Sequence, residues 1–203
     1  MYKLWFSEAI SYMKTTHKRE DIINATIKLM STQGYHATSM AQIIKEASVG
    51  AGTLYNYFKS KDILINEIVI QIKKELSETL EKSHKSTEDF DYNLKHMWYS
   101  IWEHTFSNRN RSYFAEIFIR SQLMTPQTFQ QIYQDFSFSV KFLAVSMEKK
   151  YIDNMPLDVL ESHIFGPIYH LLKLNMTQIS SQPELQKEQM FKMFYKSVVL
   201  PHK

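Results

Sequence analysis

The sequence predicts an all-α protein with a small N-terminal helical unit and a larger helical body. Three observations lead to this prediction. The 203-residue chain contains only four glycines, few for the tight turns and loops of a sheet protein. Apolar residues recur at helical spacing along most of the chain. Residues 40–58 have the pattern of two short helices joined by a tight turn.

Composition excludes several classes of protein. The chain has no cysteine, which excludes disulfide scaffolds and thiolate metal sites and favours a cytoplasmic location. The net charge of +3 permits nucleic-acid binding without arguing for it. No uncharged apolar run approaches the roughly 18 residues of a membrane span. Glu8 interrupts the apolar residues at the start, so we expect neither a signal peptide nor a membrane partner.

Residues 1–15 form an N-terminal extension ahead of the first predicted helix. Four of them can share one helical face: Trp5, Ala9, Tyr12 and Met13. The segment can extend the first helix, pack on the domain that follows or be disordered, and a start of the native chain at Met13 is a further alternative. Residues 16–33 predict the first helix, which Gly34 is expected to end with a left-handed backbone conformation.

The stretch that follows predicts a helix-turn-helix. Ser39 and Gln42 fit a capping box at the start of one short helix, and Gly50 is expected to supply a positive φ in the turn. A second short helix spans about residues 51–58, with Leu54 and Phe58 facing inward. Its outward residues have small, hydroxyl or amide side chains that suit phosphates and base edges: Ala51, Gly52, Thr53, Tyr55, Asn56 and Tyr57.

Residues 16–69 resemble the DNA-binding domain of TetR-type transcriptional regulators. The matching residues are Gln33-Gly34-Tyr35, Thr38, Ile43-Ile44-Lys45-Glu46-Ala47, Val49, Gly52-Thr53-Leu54-Tyr55, Tyr57-Phe58, Ser60-Lys61-Asp62 and Leu64. The resemblance implies a three-helix DNA-binding domain at residues 16–62, with its recognition helix at about 51–58. It also implies that residues 63–203 form a helical effector-binding and dimerisation domain. The family often has Ser or Thr where Gly50 stands, so we expect the recognition helix to lack a side-chain cap.

Ten residues of this head are expected to contact DNA. They are Thr38, Ser39, Ala51, Gly52, Thr53, Tyr55, Asn56, Tyr57, Lys59 and Lys61. Phosphate contact is expected from Thr38, Tyr57 and Lys61, with added charge from Lys59. A hydroxyl before a helix can also cap it, and for Thr38 both roles remain open, whereas Ser39 fits capping better.

A linker helix is predicted at about residues 60–83, because Leu64, Ile68, Ile72, Leu76 and Leu80 repeat every four residues. The polar residues 83–89 follow it. Further helices are predicted at residues 89–107 and 112–124, then from Thr125-Pro126 to about 150. Between the first two of these, residues 108–111 are expected to form a polar loop.

The body is rich in aromatic side chains at helical spacing. Such residues either fill a core or line an adaptable cavity for an apolar or aromatic ligand. The resemblance implies a cavity for a small-molecule effector. Its expected lining is Trp98, Trp102, Tyr113, Phe114, Phe118, Tyr133 and His163.

The last two predicted helices, at about residues 156–178 and 184–199, are too apolar for the surface of a monomer. The resemblance implies that they form a homodimer interface across a two-fold axis, and the alternative is packing within the chain. The expected interface residues are Leu160, Ile164, Ile168, Leu171, Met190 and Phe194.

Catalytic and metal-binding patterns are missing from the sequence. His163 and His170 are about 10.5 Å apart along a helix, too far to share one metal. We therefore expect no enzyme, no metal and no cofactor. The expected function is a ligand-responsive repressor that binds a pseudo-palindromic double-stranded DNA operator. The alternatives are a head that binds a protein partner, and a helical carrier or enzyme.

Overall fold

The computed structural model describes residues 2–177 and 183–201. These residues contain ten α-helices, and their one β contact is an isolated antiparallel bridge between Ile152 and Val199. The all-α prediction is therefore confirmed. No helix in the described ranges is long and apolar enough to cross a bilayer.

The N-terminal head consists of α1 (Tyr2–Ala37), α2 (Met40–Glu46) and α3 (Ala51–Tyr57). The backbone of residues 2–15 continues directly into the rest of α1. Gly34 interrupts that helix with φ 82° and ψ 173°. The positive φ was expected, although this ψ is extended rather than left-handed helical, and one more helical turn follows the break.

The body consists of seven further helices. They are α4 (Lys61–Ser83), α5 (Phe90–Ser107), α6 (Arg109–Ile119), α7 (Pro126–Asp135), α8 (Ser137–Glu148), α9 (Leu157–Met176) and α10 (Pro183–Val198). The predicted linker helix agrees with α4 to within a residue at each end.

Two predictions about the body are wrong. The helix predicted from Thr125 to about residue 150 is two helices that meet at Phe136. There the hydroxyl of Ser77 donates a hydrogen bond to the carbonyl of Asp135, and the Phe136 side chain packs against both hydrophobic cores. The expected polar loop at 108–111 is instead the first turn of α6, which begins at Arg109.

The buried apolar residues form two hydrophobic cores, and α4 contributes to both. The first combines the head with the N-terminal half of α4, including Leu64 and Ile68, and with Phe114 and Phe118 of α6. The second combines the C-terminal half of α4 with buried residues of α5, α8, α9 and α10. The head is therefore packed directly against body helices, so their movements are mechanically linked.

Candidate nucleic-acid interface

The turn between α2 and α3 is built differently from the prediction. Ser48 has the positive φ, 54°, whereas Gly50 is extended at φ −74° and begins α3. The amides of Ser48 and Val49 donate to the carbonyls of Lys45 and Ile44, both at 3.2 Å, which closes α2 and places Ser48 in the left-handed region. As expected, α3 has no side-chain cap at Gly50.

Helix α3 lies on the first core and leaves its other face open. Leu54 and Phe58 are fully buried beside Ile43 of α2. Four residues on the opposite side are exposed: Ala51, Gly52, Tyr55 and Asn56. Thr53 and Tyr57 are half-buried at its edges. The structure thus brings together the predicted outward residues of this helix on one accessible surface, which we call the α3 face.

Thr38 and Ser39 are both engaged inside the head. The Thr38 side chain is buried. Its hydroxyl donates to the Gly34 carbonyl at 2.8 Å and accepts from the side-chain amide of Gln33 at 3.2 Å. The hydroxyl of Ser39 accepts from the Gln42 backbone at 3.2 Å, and the Gln42 side chain accepts from the Ser39 amide at 2.8 Å. The predicted capping box is present, and the Thr38 hydroxyl stabilises the break in α1.

The two predicted lysines have different environments. Lys61 donates to the carbonyls of Tyr35 and Thr38, both at 2.9 Å. Beside it, the hydroxyl of Tyr35 donates to Asp62 at 2.6 Å, and this hydrogen bond raises the pKa of Tyr35. Lys59 is exposed next to the α3 face and forms no ion pair with the described side chains. Lys59 is therefore the more available of the two for a phosphate.

Arg19 is a positioning residue of the head, whereas its place in a basic cluster of the sequence suggested either a solvated helix start or a phosphate contact. Its guanidinium donates to Gln71 at 2.7 Å and Glu67 at 3.2 Å, both on α4. It also lies 5.4 Å from the ring centre of Phe58, just beyond the end of α3. Arg19 therefore connects α1, the end of α3 and α4 in one contact. These partners lie 52 and 48 positions along the chain from Arg19, so helical spacing gave no signal for the contact.

Most of the aromatic residues expected to line a ligand cavity lie in the cores. Trp98, Trp102, Phe114 and Phe118 are buried, and the two tryptophan rings stack with centres 5.5 Å apart. Tyr113 is half-buried. His163 is exposed, with its Nε2 at 2.7 Å from the Ser197 hydroxyl of α10.

An open cavity lies elsewhere in the body. It has a volume of about 450 Å³ between α4, α6, α7 and α9. Its lining includes Lys73, Arg120, Phe129, Tyr133, Glu161 and Tyr169. Tyr133 is the one member of the predicted ligand set among its lining residues.

The residues predicted for the dimer interface are largely covered within the chain. Leu160, Ile164, Ile168 and Phe194 belong to the second core and are almost fully buried. Leu171 and Met190 are half-buried beside that core. The same two helices expose other apolar side chains: Val159 is 51% exposed and Met193 is 66% exposed.

Comparisons with known proteins agree with this architecture. Residues 22–68 match the family model described as bacterial regulatory proteins, tetR family. An uncharacterised HTH-type transcriptional regulator of Haemophilus influenzae is 39% identical over 87 residues, which is 43% of this chain and 46% of that protein. The match thus spans about half the length of that relative. YhgD of Bacillus subtilis, another uncharacterised HTH-type transcriptional regulator, is 26% identical over 184 residues, 84% of this chain and 89% of YhgD.

The similarity in fold extends over most of the chain. A crystal structure of a TetR family transcription regulator from Marinobacter aquaeolei superposes with a TM-score of 0.85 at 22% identity, covering 94% of this chain and 100% of that one. The head of this chain, α1 to α3 with the open α3 face, is the part that matches this family of bacterial regulatory proteins. The tetR family match thus covers the head, and the similarity to TetR family regulators over the rest of the chain is one of fold.

Proposed function

We propose that the protein is a dimeric, cytoplasmic repressor that binds a pseudo-palindromic DNA operator through the α3 face. The observation that carries this proposal is the exposure of Tyr55 and Asn56 on a short helix whose opposite side is fully buried. A helix held in this way can enter the major groove with its side chains directed at base edges. Ala51 and Gly52 at its start are small enough to let the backbone approach DNA closely.

The contacts with DNA divide into two kinds. Thr53, Tyr55 and Asn56 are placed to reach base edges, while Tyr57 and Lys59 flank the groove and suit phosphates. Thr38, Ser39 and Lys61 act mainly by holding the turn before α2 in position, because their polar groups bond within the head. Backbone amides of the turn before α2 and of the start of α3 can still donate hydrogen bonds to phosphates.

Dimerisation is proposed through the outer faces of α9 and α10. Val159 and Met193 are exposed there, and burying them against a second copy would remove apolar surface from water. A two-fold dimer presents two α3 faces, as two half-sites about 34 Å apart require.

Effector control is proposed to pass through α6. This helix contributes Glu116 and Ile119 to the cavity, the C-cap residue Arg120 also lines it, and the first turn of α6 carries Arg111. The guanidinium of Arg111 pairs with Glu20 of α1 at 2.9 Å and with Glu75 of α4 at 2.8 Å. Suppose that α6 can take two placements relative to the rest of the body. A ligand that binds more tightly to one of them then shifts the population of head orientations.

The test is selection of bound sequences from a random duplex pool at near-physiological salt, using the full chain. The proposal predicts enrichment of a pseudo-palindrome, and loss of that enrichment in a Tyr55→Ala/Asn56→Ala variant that melts like the wild type. Weak binding without sequence preference would contradict it. A head that binds a protein partner instead predicts little dependence on salt, whereas phosphate contacts predict a steep one.

A further inference from the structure

Lys73 is a buried cation beside the body cavity. It lies on α4, is 8% exposed and lines the cavity with Phe165 and Tyr169 of α9. Its ammonium group donates to the Tyr169 hydroxyl at 3.3 Å and lies 5.1 Å from that ring centre and 5.9 Å from the ring centre of Phe165. Among the described side chains it forms no ion pair.

This environment leaves the charge of Lys73 incompletely compensated. A buried cation without a counter-ion loses much of its hydration, which one hydrogen bond near the long limit and two ring faces offset only in part. Buried charges in proteins are normally paired, so an unpaired ammonium beside a cavity indicates a place for an anion.

The other charged groups lining the cavity do not supply that anion. The carboxylate of Glu116 pairs with the guanidinium of Arg120 at 2.6 Å, one turn along α6. Glu161 lies on α9, where burial, followed by the charge of Asp158, raises the pKa of its carboxyl while Lys73 acts in the opposite direction. Glu161 forms no ion pair with Lys73. The cavity thus keeps one cation that an incoming acid can neutralise.

The remaining walls are apolar. Ile119, Phe129, Ile132 and Phe136 contribute side chains from α6, α7 and the junction of α7 with α8. Phe129 and Tyr133, which also lines the cavity, are exposed and lie at its solvent side. The volume of about 450 Å³ is within the usual range for small-molecule sites, which combine apolar walls with a few placed polar groups.

We propose that this cavity binds an apolar or aromatic monocarboxylic acid, with its carboxylate paired to Lys73 and its body against Phe129 and Phe136. The identification of this acid as the effector rests on the proposed function. The binding site itself rests on the burial of Lys73, its missing counter-ion and the apolar walls.

The experiment compares acids with neutral molecules of the same shape by isothermal titration calorimetry on the full chain. The probes are 2-naphthoate with 2-naphthamide, and octanoate with octanamide. We expect the wild type to bind at least one of the acids about tenfold or more tightly than its amide, because a charge-assisted pair is lost in the amide. Lys73→Met should reduce this ratio to about one, and Lys73→Arg should retain a preference for the acid.

Lys74 provides the matched control, because it is the next residue of α4 and is exposed. Lys74→Met should keep the wild-type ratio. Equal binding of acid and amide by the wild type, binding of neither, or an unchanged ratio in Lys73→Met would each overturn the proposal. If Lys73→Met does not fold, as judged by circular dichroism, Lys73→Gln provides the same comparison.

Operator binding by the unliganded chain is measured in parallel, so that the two proposals can fail separately. A chain that binds its operator but has no Lys73-dependent preference for acids overturns this inference alone. A chain with that preference but without sequence-specific DNA binding overturns the proposed function and leaves the acid site standing.

Discussion

The ammonium group of Lys61 lies 3.8 Å from the ring centre of Tyr35 and donates a hydrogen bond to the backbone carbonyl of the same residue. A second hydrogen bond goes to the Thr38 carbonyl. These contacts attach the first turn of α4 to the last turn of α1 and to the residues between α1 and α2. Lys61 therefore holds the head together from within, whereas the sequence led us to expect that it contacts a phosphate.

Lys61→Met is expected to lower the free energy of unfolding by about 1–3 kcal/mol, because two charge-assisted hydrogen bonds and a ring contact are lost. Urea denaturation measures this change. Lys59→Met is the control, since its side chain is exposed, and should change stability by no more than about 0.5 kcal/mol. Equal stability of the two variants would refute the structural role of Lys61.

The same Lys59→Met variant tests phosphate contact. If Lys59 neutralises one phosphate, its removal should weaken binding to operator and random DNA similarly and reduce the salt slope by about one. Fluorescence anisotropy over a range of salt concentrations measures both quantities. A slope identical to that of the wild type would remove Lys59 from the set of phosphate ligands.

Asn56→Ala is expected to change sequence preference rather than overall affinity. An exposed amide on the α3 face can form two hydrogen bonds with adenine, so its loss should cost about 1–3 kcal/mol on the operator. On random DNA the loss should be small. Competition between operator and random duplexes measures the difference.

Asn110→Ala is the control for Asn56, because Asn110 is an exposed asparagine in the first turn of α6, in the body. It should leave both DNA affinities unchanged. Equal losses on operator and random DNA in Asn56→Ala would mean that Asn56 does not contact bases.

The contact between Arg111 and Glu20 should couple the head energetically to the body. The Arg111 side chain is 18% exposed and joins Glu20 to Glu75, so part of this pair is shielded from water. A double-mutant cycle with Glu20→Gln and Arg111→Met should give a coupling energy of about 0.5–2 kcal/mol. Thermal or urea unfolding supplies the four stabilities.

The pair of Lys28 with Glu46 is a suitable comparison within the head. The Lys28 side chain is 69% exposed, so its cycle should give at most about 0.5 kcal/mol. A coupling for Arg111 and Glu20 no larger than this would argue against α6 as the connection between the proposed effector site and α1.

Tyr195 predicts a specific alkaline sensitivity. Burial, together with a 2.6 Å hydrogen bond to Asp91 and the charge of that carboxylate, raises the pKa of Tyr195 from 10.0 to about 12. The unfolded chain ionises first, so this contribution to stability is complete below pH 10 and is lost as the pH rises to about 12. Tyr195→Phe should therefore show a shallower fall in unfolding free energy over this interval.

Urea unfolding at several pH values between 10 and 12 measures that slope. Asp91→Asn, which removes the neighbouring negative charge, should give a slope between those of the wild type and Tyr195→Phe. Three identical slopes would show that the hydroxyl of Tyr195 does not contribute to stability in this way.

The regular parts of the fold were predictable because they depend on spacing. The apolar stripe from Leu64 to Leu80 located α4, and the pair Ser39 and Gln42 located the start of α2. The residue with positive φ in the turn between α2 and α3 was not predictable from the general preference of glycine for that conformation. The hydrogen bonds that close α2 place Ser48 in that conformation, and a glycine two residues later does not alter them.

The cavity was harder to predict, because aromatic side chains have the same spacing whether they fill a core or surround a space. Lys73 was missed since a lysine next to an apolar stripe usually faces water. A signal was present in the sequence nonetheless. Asn66, Lys73 and Ser77 are spaced by seven and four residues on α4, so they share one face, and all three are buried. The residues expected to contact DNA and to form the dimer stay predictions.

The distribution of α4 between the two cores has a consequence for building chimeric biosensors. The DNA-binding part cannot be cut out at a loop, because Leu64 and Ile68 complete its core together with Phe114 and Phe118 of α6. If residues up to about 62 were fused to another body, the head would lose the part of its core that these residues supply. Its exposed apolar surface would then meet a body whose surface is not complementary. A working graft has to carry the N-terminal half of α4 and the facing residues of α6, so the natural unit of exchange is discontinuous in sequence.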